Sequence, residues 1–389
     1  MATKKSIRKE IPEGLRSAFK ELEKMNKYSS ILSDNALSVV TEWIDTGCMA
    51  LNAIASGSLY KGVPKGRITG LVGPSGSGKT LILNKIIAQE QKKDSDVWGV
   101  VWDTENAYDP GMVRNVGGNP DQIHVNPVHT VEECRNQIVA FLKTVIADKS
   151  LHGKVIIGID SLGNLASAKE LKDAEKGKDA VDMGMRAKAI KSLMRVIPYM
   201  CAEANVTLIF TNHIYDEPAN MFPSLIKCQG GGKSTVYLPS LLIQLAVTQE
   251  KVNDDRKKEK DKFIPIANRI KGVNLRALSV KNRHAPPFLE TNMYLNFKSG
   301  LYEYSGLIEM AEEYDVIKKT GNTYFAKDGT KLGMKAAFKN NKVLWDTHIL
   351  PGLDEALQGD LVFSSEADRL EIEIDDMESE MEAIVVEDD

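Results

Sequence analysis

Residues 73–80 read GPSGSGKT, and this octet constrains the chain more than any other stretch. Gly73, Pro74, Ser75, Gly76, Ser77 and Gly78 describe a turn with little room for side chains, so its backbone N–H groups point inward and can cradle phosphate oxygens. Lys79 then reaches the outer phosphates, and Thr80 offers a hydroxyl to a magnesium ion. Such a turn works only between a strand and the positive N-terminus of a helix. The flanks meet that demand: RITGLV before it is a short apolar run of buried-strand type, and LILNKIIAQEQKK after it carries apolar residues at helical spacing. The prediction is therefore an α/β core that holds a nucleotide phosphate together with Mg2+.

An acid at a strand's end is the natural companion of this loop, because ligands of open parallel sheets gather at the carboxyl ends of the strands. VWGVVWDTENAYDP predicts a second buried strand, with Glu105 just past its end and suited to polarise an attacking water. QIHVNPV predicts a third strand, followed by a helix over Val131–Ile146. KVIIGIDSLGNLA then closes an apolar strand on Asp160, which suits an acid that holds magnesium through water. The run from Lys169 to Met183 is polar and lacks a sustained period, so it predicts a loop. It leads into MRAKAIKSLMRVIPYMCAEA, a helix with Arg186, Lys188, Lys191 and Arg195 on a basic face. TLIFTNH predicts the next strand, ending at Asn212 and His213. A second loop, about Ile214 to Ser234, combines two prolines, two aromatics and three successive glycines. SLLIQLAV, FIPIANRIKGV and ALSVKNR read as further strands, the last two at hairpin-like separation. The parallel sheet is thus expected to continue into antiparallel strands.

Charge adds a second theme. Twelve of the residues from Glu366 to Asp389 are acidic and one is basic, a net of −11 against −4 for the whole chain, so residues 1–365 carry +7. A basic body with an acidic tail is common in proteins that grip nucleic acid, and it equally fits a solubilising end. Residues Glu13–Asn26 place Leu15, Phe19, Leu22 and Met25 at helical spacing, which predicts an amphipathic helix. No apolar block suggests a signal peptide or a membrane span. Cys48, Cys134, Cys201 and Cys228 lack metal-like or redox-like spacing, which points to a reducing, cytoplasmic setting.

The order of GPSGSGKT, DTENAYDP, VIIGIDSLGNL, MGMRAKAIKSLMR, TLIFTNH, the GGG-ending loop and VKNRHAPPF resembles the core of the RecA-family recombinases. IDSLGNLASAKE and the NHIY-to-GGG stretch are most similar to the tailed-phage branch, the UvsX recombinases. The resemblance covers about Thr41 to Phe338. It implies an ATP-dependent enzyme that binds single-stranded and double-stranded DNA, assembles as a helical homo-oligomer and catalyses strand exchange. A single-strand-binding protein and a loader are its implied accessory partners. Matched position by position, Lys79 and Thr80 would bind the triphosphate and magnesium, with Glu105 as general base, Asp160 supporting the metal and Asp109 near the adenine. His213 stands where the family has a phosphate-sensing glutamine. Met183, Gly184, Lys188 and Arg195 would form the first DNA loop, and Met221, Phe222, Gly231 and Gly232 the second. Lys281 and Arg283 would reach the neighbouring subunit's phosphates. The family's adenine-stacking aromatic is Met112 here. The implied organisation is an N-terminal polymerisation region (1–40), an ATPase and DNA-binding core (41–300), a small C-terminal domain (301–360) and a disordered acidic tail (361–389). A ring-shaped helicase of the same superfamily and an ATP-regulated DNA-coating mediator are the competing readings. Glu105 before the AYDP turn, and two separate loops, favour the recombinase.

Overall fold

A computed structural model describes residues 11–32, 35, 37–177, 183–215, 227–250, 272–298, 300–339 and 341–362. The chain divides into two compact units, Met1–Glu42 and Trp43–Asp389. In the first, α1 (Glu13–Met25) is the expected amphipathic helix, and none of its residues is buried.

The second unit opens with β1 (Trp43–Ile44), α2 (Met49–Ser56) and β2 (Val63–Pro64), the two strands forming a small antiparallel pair. There follow β3 (Ile68–Val72), α3 (Lys79–Lys93), β4 (Trp98–Asp103), α4 (Pro110–Asn115), β5 (Ile123–Pro127), α5 (Val131–Ala147) and β6 (Val155–Asp160). Next come α6 (Ala168–Glu175), α7 (Met183–Ala204), β7 (Thr207–Asn212), β8 (Ile214–Tyr215), β9 (Cys228–Gln229) and α8 (Ser234–Tyr237). The sheet is completed by β10 (Leu241–Glu250), β11 (Gly272–Asn282), β12 (Glu290–Asn296) and β13 (Gly300–Leu301). Its nine strands run in the order β13-β12-β11-β10-β3-β7-β6-β4-β5. From β10 to β5 the neighbours are parallel, and β11, β12 and β13 extend them antiparallel. The expected α/β class and its antiparallel extension are therefore present.

Strands buried on both faces must be apolar throughout, and β3, β6 and β7 are buried at every position. Alternate residues feed two cores. Leu71, Val101, Ile156 and Ile209 pack with α2 and α3 on one face, while Val72, Trp102, Ile157 and Phe210 pack with α5 and α7 on the other.

Two expectations change. The predicted loop from Lys169 begins instead as α6, because Ser167 accepts from the Glu170 backbone while the Glu170 carboxylate accepts from the Ser167 N–H. This reciprocal cap satisfies two free backbone donors and starts a helix without apolar periodicity. The hairpin also changes: Gly272 and Val273, the end of the first predicted strand, run on into ALSVKN as the single strand β11, while FIPIANRI, residues 178–182 and residues 363–389 lie outside the described residues.

The stretch least legible in sequence folds as α9 (Leu307–Glu313), a three-stranded sheet of β14 (Ile317–Thr320), β15 (Thr323–Ala326) and β16 (Lys331–Gly333), then α10 (Lys342–His348) and α11 (Leu350–Leu361). Its apolar side chains join the α2 and α3 core. Trp345, 1% exposed, stacks on Tyr304 with ring centroids 4.9 Å apart and donates its indole N–H to the Phe338 carbonyl at 3.0 Å. Trp345→Ala is expected to cost about 3–5 kcal/mol in urea unfolding. A loss under about 1 kcal/mol would deny this tryptophan its packing role.

Candidate active site

The loop after β3 is built from its own backbone. Gly73 donates its N–H to the Asn212 carbonyl at 3.1 Å, which fastens the loop to the end of β7. Gly78 has φ +79°, a left-handed conformation in which a Cβ would also stand 2.9 Å from Leu295; Gly76 is left-handed as well, at φ +75°. Ser77 closes the turn through its hydroxyl on the Pro74 carbonyl, and Ser75 is exposed at its tip. Lys79, 7% exposed, donates its ammonium to the carbonyls of Gly73 at 3.0 Å and Pro74 at 2.8 Å. Burial lowers its pKa, and the charges of Asp160 and Glu105 oppose that shift.

Asp160 ends β6, two strands from β3. Its carboxylate accepts from Thr211 at 2.5 Å and from the Thr80 hydroxyl. Burial nevertheless holds its pKa above the usual carboxylate range, those two hydrogen bonds pull it down, and the neighbouring Glu105 and Asp103 charges push it up. Glu105 stands in the turn after β4, half exposed. Its Oε1 accepts from Asn164 at 2.7 Å and from Ser161 at 3.4 Å, and lies 3.7 Å from His213 Nε2. Asp103, missed by the sequence reading, sets that turn by accepting from the Glu105 N–H at 2.9 Å and the Tyr108 N–H at 3.2 Å. The legible signal was a buried acid closing an apolar strand, the same signal that marks Asp160. Asn164 and Ser161 carried no such signal, because only the fold turns them toward Glu105.

Thus Lys79, Thr80, Glu105, Asp160 and His213 converge at the carboxyl edge of the sheet. Asp109 instead caps α4, accepting from the Gly111 N–H at 2.6 Å, and is exposed. His213 follows Asn212, whose side-chain amide donates to the Gly230 carbonyl at 2.8 Å and so joins β7 to the glycine run. Gly231 has φ +96°, and a Cβ there would stand 2.7 Å from Ile190 of α7; Gly232 is left-handed too. The glycine run of the second expected loop is therefore packed against α7. Met183 opens α7, and Gly184, Lys188, Lys191 and Arg195 are exposed along it. Met221 and Phe222 lie outside the described residues.

Lys281 and Arg283 are not in this cluster. Arg283 bonds through its N–H to Ser240, which bonds to Ile68 at the start of β3, and the Lys281 ammonium donates to the Tyr237 carbonyl of α8. They face the edge where β3 enters the sheet, the end opposite the phosphate loop. Burial, then the Arg283 charge, pushes Lys281 down to about 8. Burial together with Arg67 and Arg283 pushes His284 down to about 4.

The glycine cradle and buried Lys79 fit a nucleoside triphosphate. Asp160 and Glu105 both act on the one ammonium, which leaves excess negative charge that suits a divalent cation near Thr80 and Asp160. Among the described residues no three metal-ligating side chains converge. Magnesium on a triphosphate does not need them, since it takes one or two protein oxygens and fills its shell with phosphate and water.

A family model described as the RecA N-terminal domain matches residues 13–302. The chain is 28% identical over 341 residues to Protein RecA of Leptospira biflexa, covering 82% of this chain and 81% of the relative. It is 28% identical over 278 residues to the Recombination and repair protein of Enterobacteria phage T4, covering 72% and 65%. It is 27% identical over 368 residues to Protein RecA of Acinetobacter baumannii, covering 93% and 95%.

Because Gly78 must hold a left-handed backbone, Gly78→Ala is expected to lower stability by about 1–2 kcal/mol and to weaken triphosphate binding. Thermal unfolding with and without nucleotide measures both, and a variant that matches the parent in each would remove the constraint.

Proposed function

The chain belongs to the RecA family, and we propose that its nucleotide site and its basic helix operate together inside a helical filament on single-stranded DNA. It is a RecA-type recombinase of recombination and repair. The finer reading is a DNA-dependent ATPase that drives homologous pairing and strand exchange with single-stranded and double-stranded DNA.

Each residue's part follows from its setting. Lys79 binds the outer phosphates and exchanges its loop carbonyls for them. Thr80 and Asp160 would hold magnesium, which when bound would neutralise phosphate charge. Glu105 takes the proton of the attacking water, and its half-exposed position at a strand end supports that role. His213 lies between Glu105 and the second loop, which suits a sensor of the terminal phosphate. Asp109 and Met112 flank the expected base position. Lys188 and Arg195 grip the phosphate backbone without reading sequence, while base pairing identifies homology. The organisation proposed from sequence, with a polymerisation region before residue 41 and a small domain after residue 300, is retained as part of this reading.

One observation carries the filament. Lys281 and Arg283 form a positive pair at the edge opposite their own phosphate loop, where they can complete only another subunit's site. A contact joining one edge to the opposite edge is heterologous, and unless its rotation closes it generates an open helix. Among the described residues no helix is long and apolar enough to cross a membrane.

Electron microscopy with ATP, magnesium and single-stranded DNA is expected to show open filaments; closed rings would favour the helicase reading. Lys281→Ala and Arg283→Ala are each expected to lower DNA-stimulated turnover by about 10³-fold or more, as loss of a trans-acting cation does, while ATP binding persists. Full turnover in both variants would defeat the trans arrangement.

The pH dependence follows from the depressed Lys281. Its ammonium loses charge as pH rises through about 8, so DNA-stimulated turnover is expected to decline above that pH. Lys281→Arg keeps its charge and should shift the decline to higher pH. Identical alkaline limbs would exclude Lys281 as the titrating group.

A further inference from the structure

Glu105 needs a fixed orientation, since a carboxylate free to rotate aims a lone pair at its water only part of the time. Among the described residues the shortest hydrogen bond to its carboxylate comes from Asn164, whose Nδ2 lies 2.7 Å from Oε1. An amide is well suited to this task. It fixes the plane of the carboxylate and leaves Oε2 for the water, without the strong loss of basicity that a cationic donor would impose.

Asn164 ends the short 3-10 turn Leu162–Asn164 that follows β6. That turn is braced from two sides. Toward β7, a Cβ on Gly163 would stand 2.6 Å from Asn212 Oδ1, so the turn is already at closest approach. Toward α7, the Gly163 carbonyl accepts from the Arg186 guanidinium. Arg186 belongs by sequence to the same basic run as Lys188, Lys191 and Arg195, but the fold separates it from them. The other three are exposed, whereas Arg186 is half-buried and its Nε is shielded from solvent with no partner among the described residues.

We propose that Asn164 is a positioning residue for Glu105, and that Arg186 fixes the turn carrying it, so that the seating of α7 sets the placement of the catalytic carboxylate. This rests on Glu105 as the water-activating base. A polynucleotide held by Lys188, Lys191 and Arg195 bears on the same helix that Arg186 ties to the turn, which gives DNA a direct route to the chemistry.

The test measures ATP turnover by the full chain on saturating single-stranded DNA. Asn164→Ala is expected to lower kcat by about tenfold or more, with the KM for ATP and the DNA affinity changed by less than about twofold. Asn164→Asp is nearly isosteric, removes the donor and sets a negative charge against Glu105. It should lose at least as much, and an N164D variant at parental rate would overturn the positioning role. Arg186→Ala should lower kcat in the same sense, and the double variant should fall no further than N164A alone. Independent, multiplying losses would overturn the link through α7. Should R186A fail to fold, R186K retains one donor and is expected between the parent and N164A; an R186K rate below N164A would overturn the link equally. If Arg186 instead contacts phosphate, R186A should reduce the salt slope of DNA binding by about one, and that result would also overturn it. Glu105→Gln separates the two levels. An active E105Q removes the base reading itself, whereas an inactive E105Q beside a fully active N164A overturns positioning alone.

Discussion

The buried ammonium of Lys79 is the interaction on which the rest of this architecture depends. A charge so nearly removed from water is tolerable only with partners, and leaving one unpaired costs about 3–5 kcal/mol. The fold supplies two loop carbonyls at contact distance and, behind them, the carboxylates of Asp160 and Glu105. Those acids come from β6 and from the turn after β4, so β3, β7, β6 and β4 must lie side by side in one register. The apolar residues of these strands drive their burial, but the charge balance at their carboxyl ends selects which strand ends stand together.

The same requirement divides the molecule into two chemically unlike edges. At the carboxyl edge Asp160 and Glu105 act on Lys79, with Asp103 beside Asp160, an excess of negative charge that a cation carrying phosphate would balance. At the entering edge burial, and after it the Arg283 charge, lowers the pKa of Arg67 and Lys281, and burial with Arg67 and Arg283 lowers that of His284. Such a cation cluster gains from an anion brought to that edge. In the filament proposed above, stacking one molecule's entering edge on another's carboxyl edge would bring positive charge to negative charge. In the proposed filament, assembly and nucleotide binding would thereby be linked equilibria, since each would favour the state the other binds better.

Most of this core was readable because its signals are local. A glycine turn between an apolar run and a helical period fixes the phosphate loop, and apolar strands closing on Glu105 and Asp160 mark the same sheet edge from sequence alone. The helix α6 was missed because Ser167 and Glu170 start it by reciprocal capping, with no apolar stripe to reveal it. Asn164 was missed for a different reason. Its partner Glu105 is 59 residues away in sequence, and a neutral amide in a short turn has no pattern by which sequence could pair it. Arg186 illustrates the converse limit, since its helical spacing groups it with solvent-facing basic residues while the Gly163 carbonyl turns it inward. Near the C-terminus, the stacking of Trp345 on Tyr304 depends on tertiary approach, so short elements there carried little periodicity to read.

A magnitude decides whether so slight a connection can control catalysis. Changing turnover tenfold requires about 1.4 kcal/mol of differential stabilisation between two arrangements. A hydrogen bond from a charged donor contributes about 1.5–3 kcal/mol, so the Arg186 contact to Gly163, made in one seating of α7 and lost in the other, is sufficient for a tenfold to hundredfold response. The Asn212 bond to Gly230 is neutral and contributes about 0.5–1.5 kcal/mol. Neither needs a large movement, because the turn between them is packed against Asn212 and has no slack to absorb a shift of the helix. On the proposed reading, a displacement of α7 would therefore be felt at Asn164, and through it at the carboxylate assigned to the water.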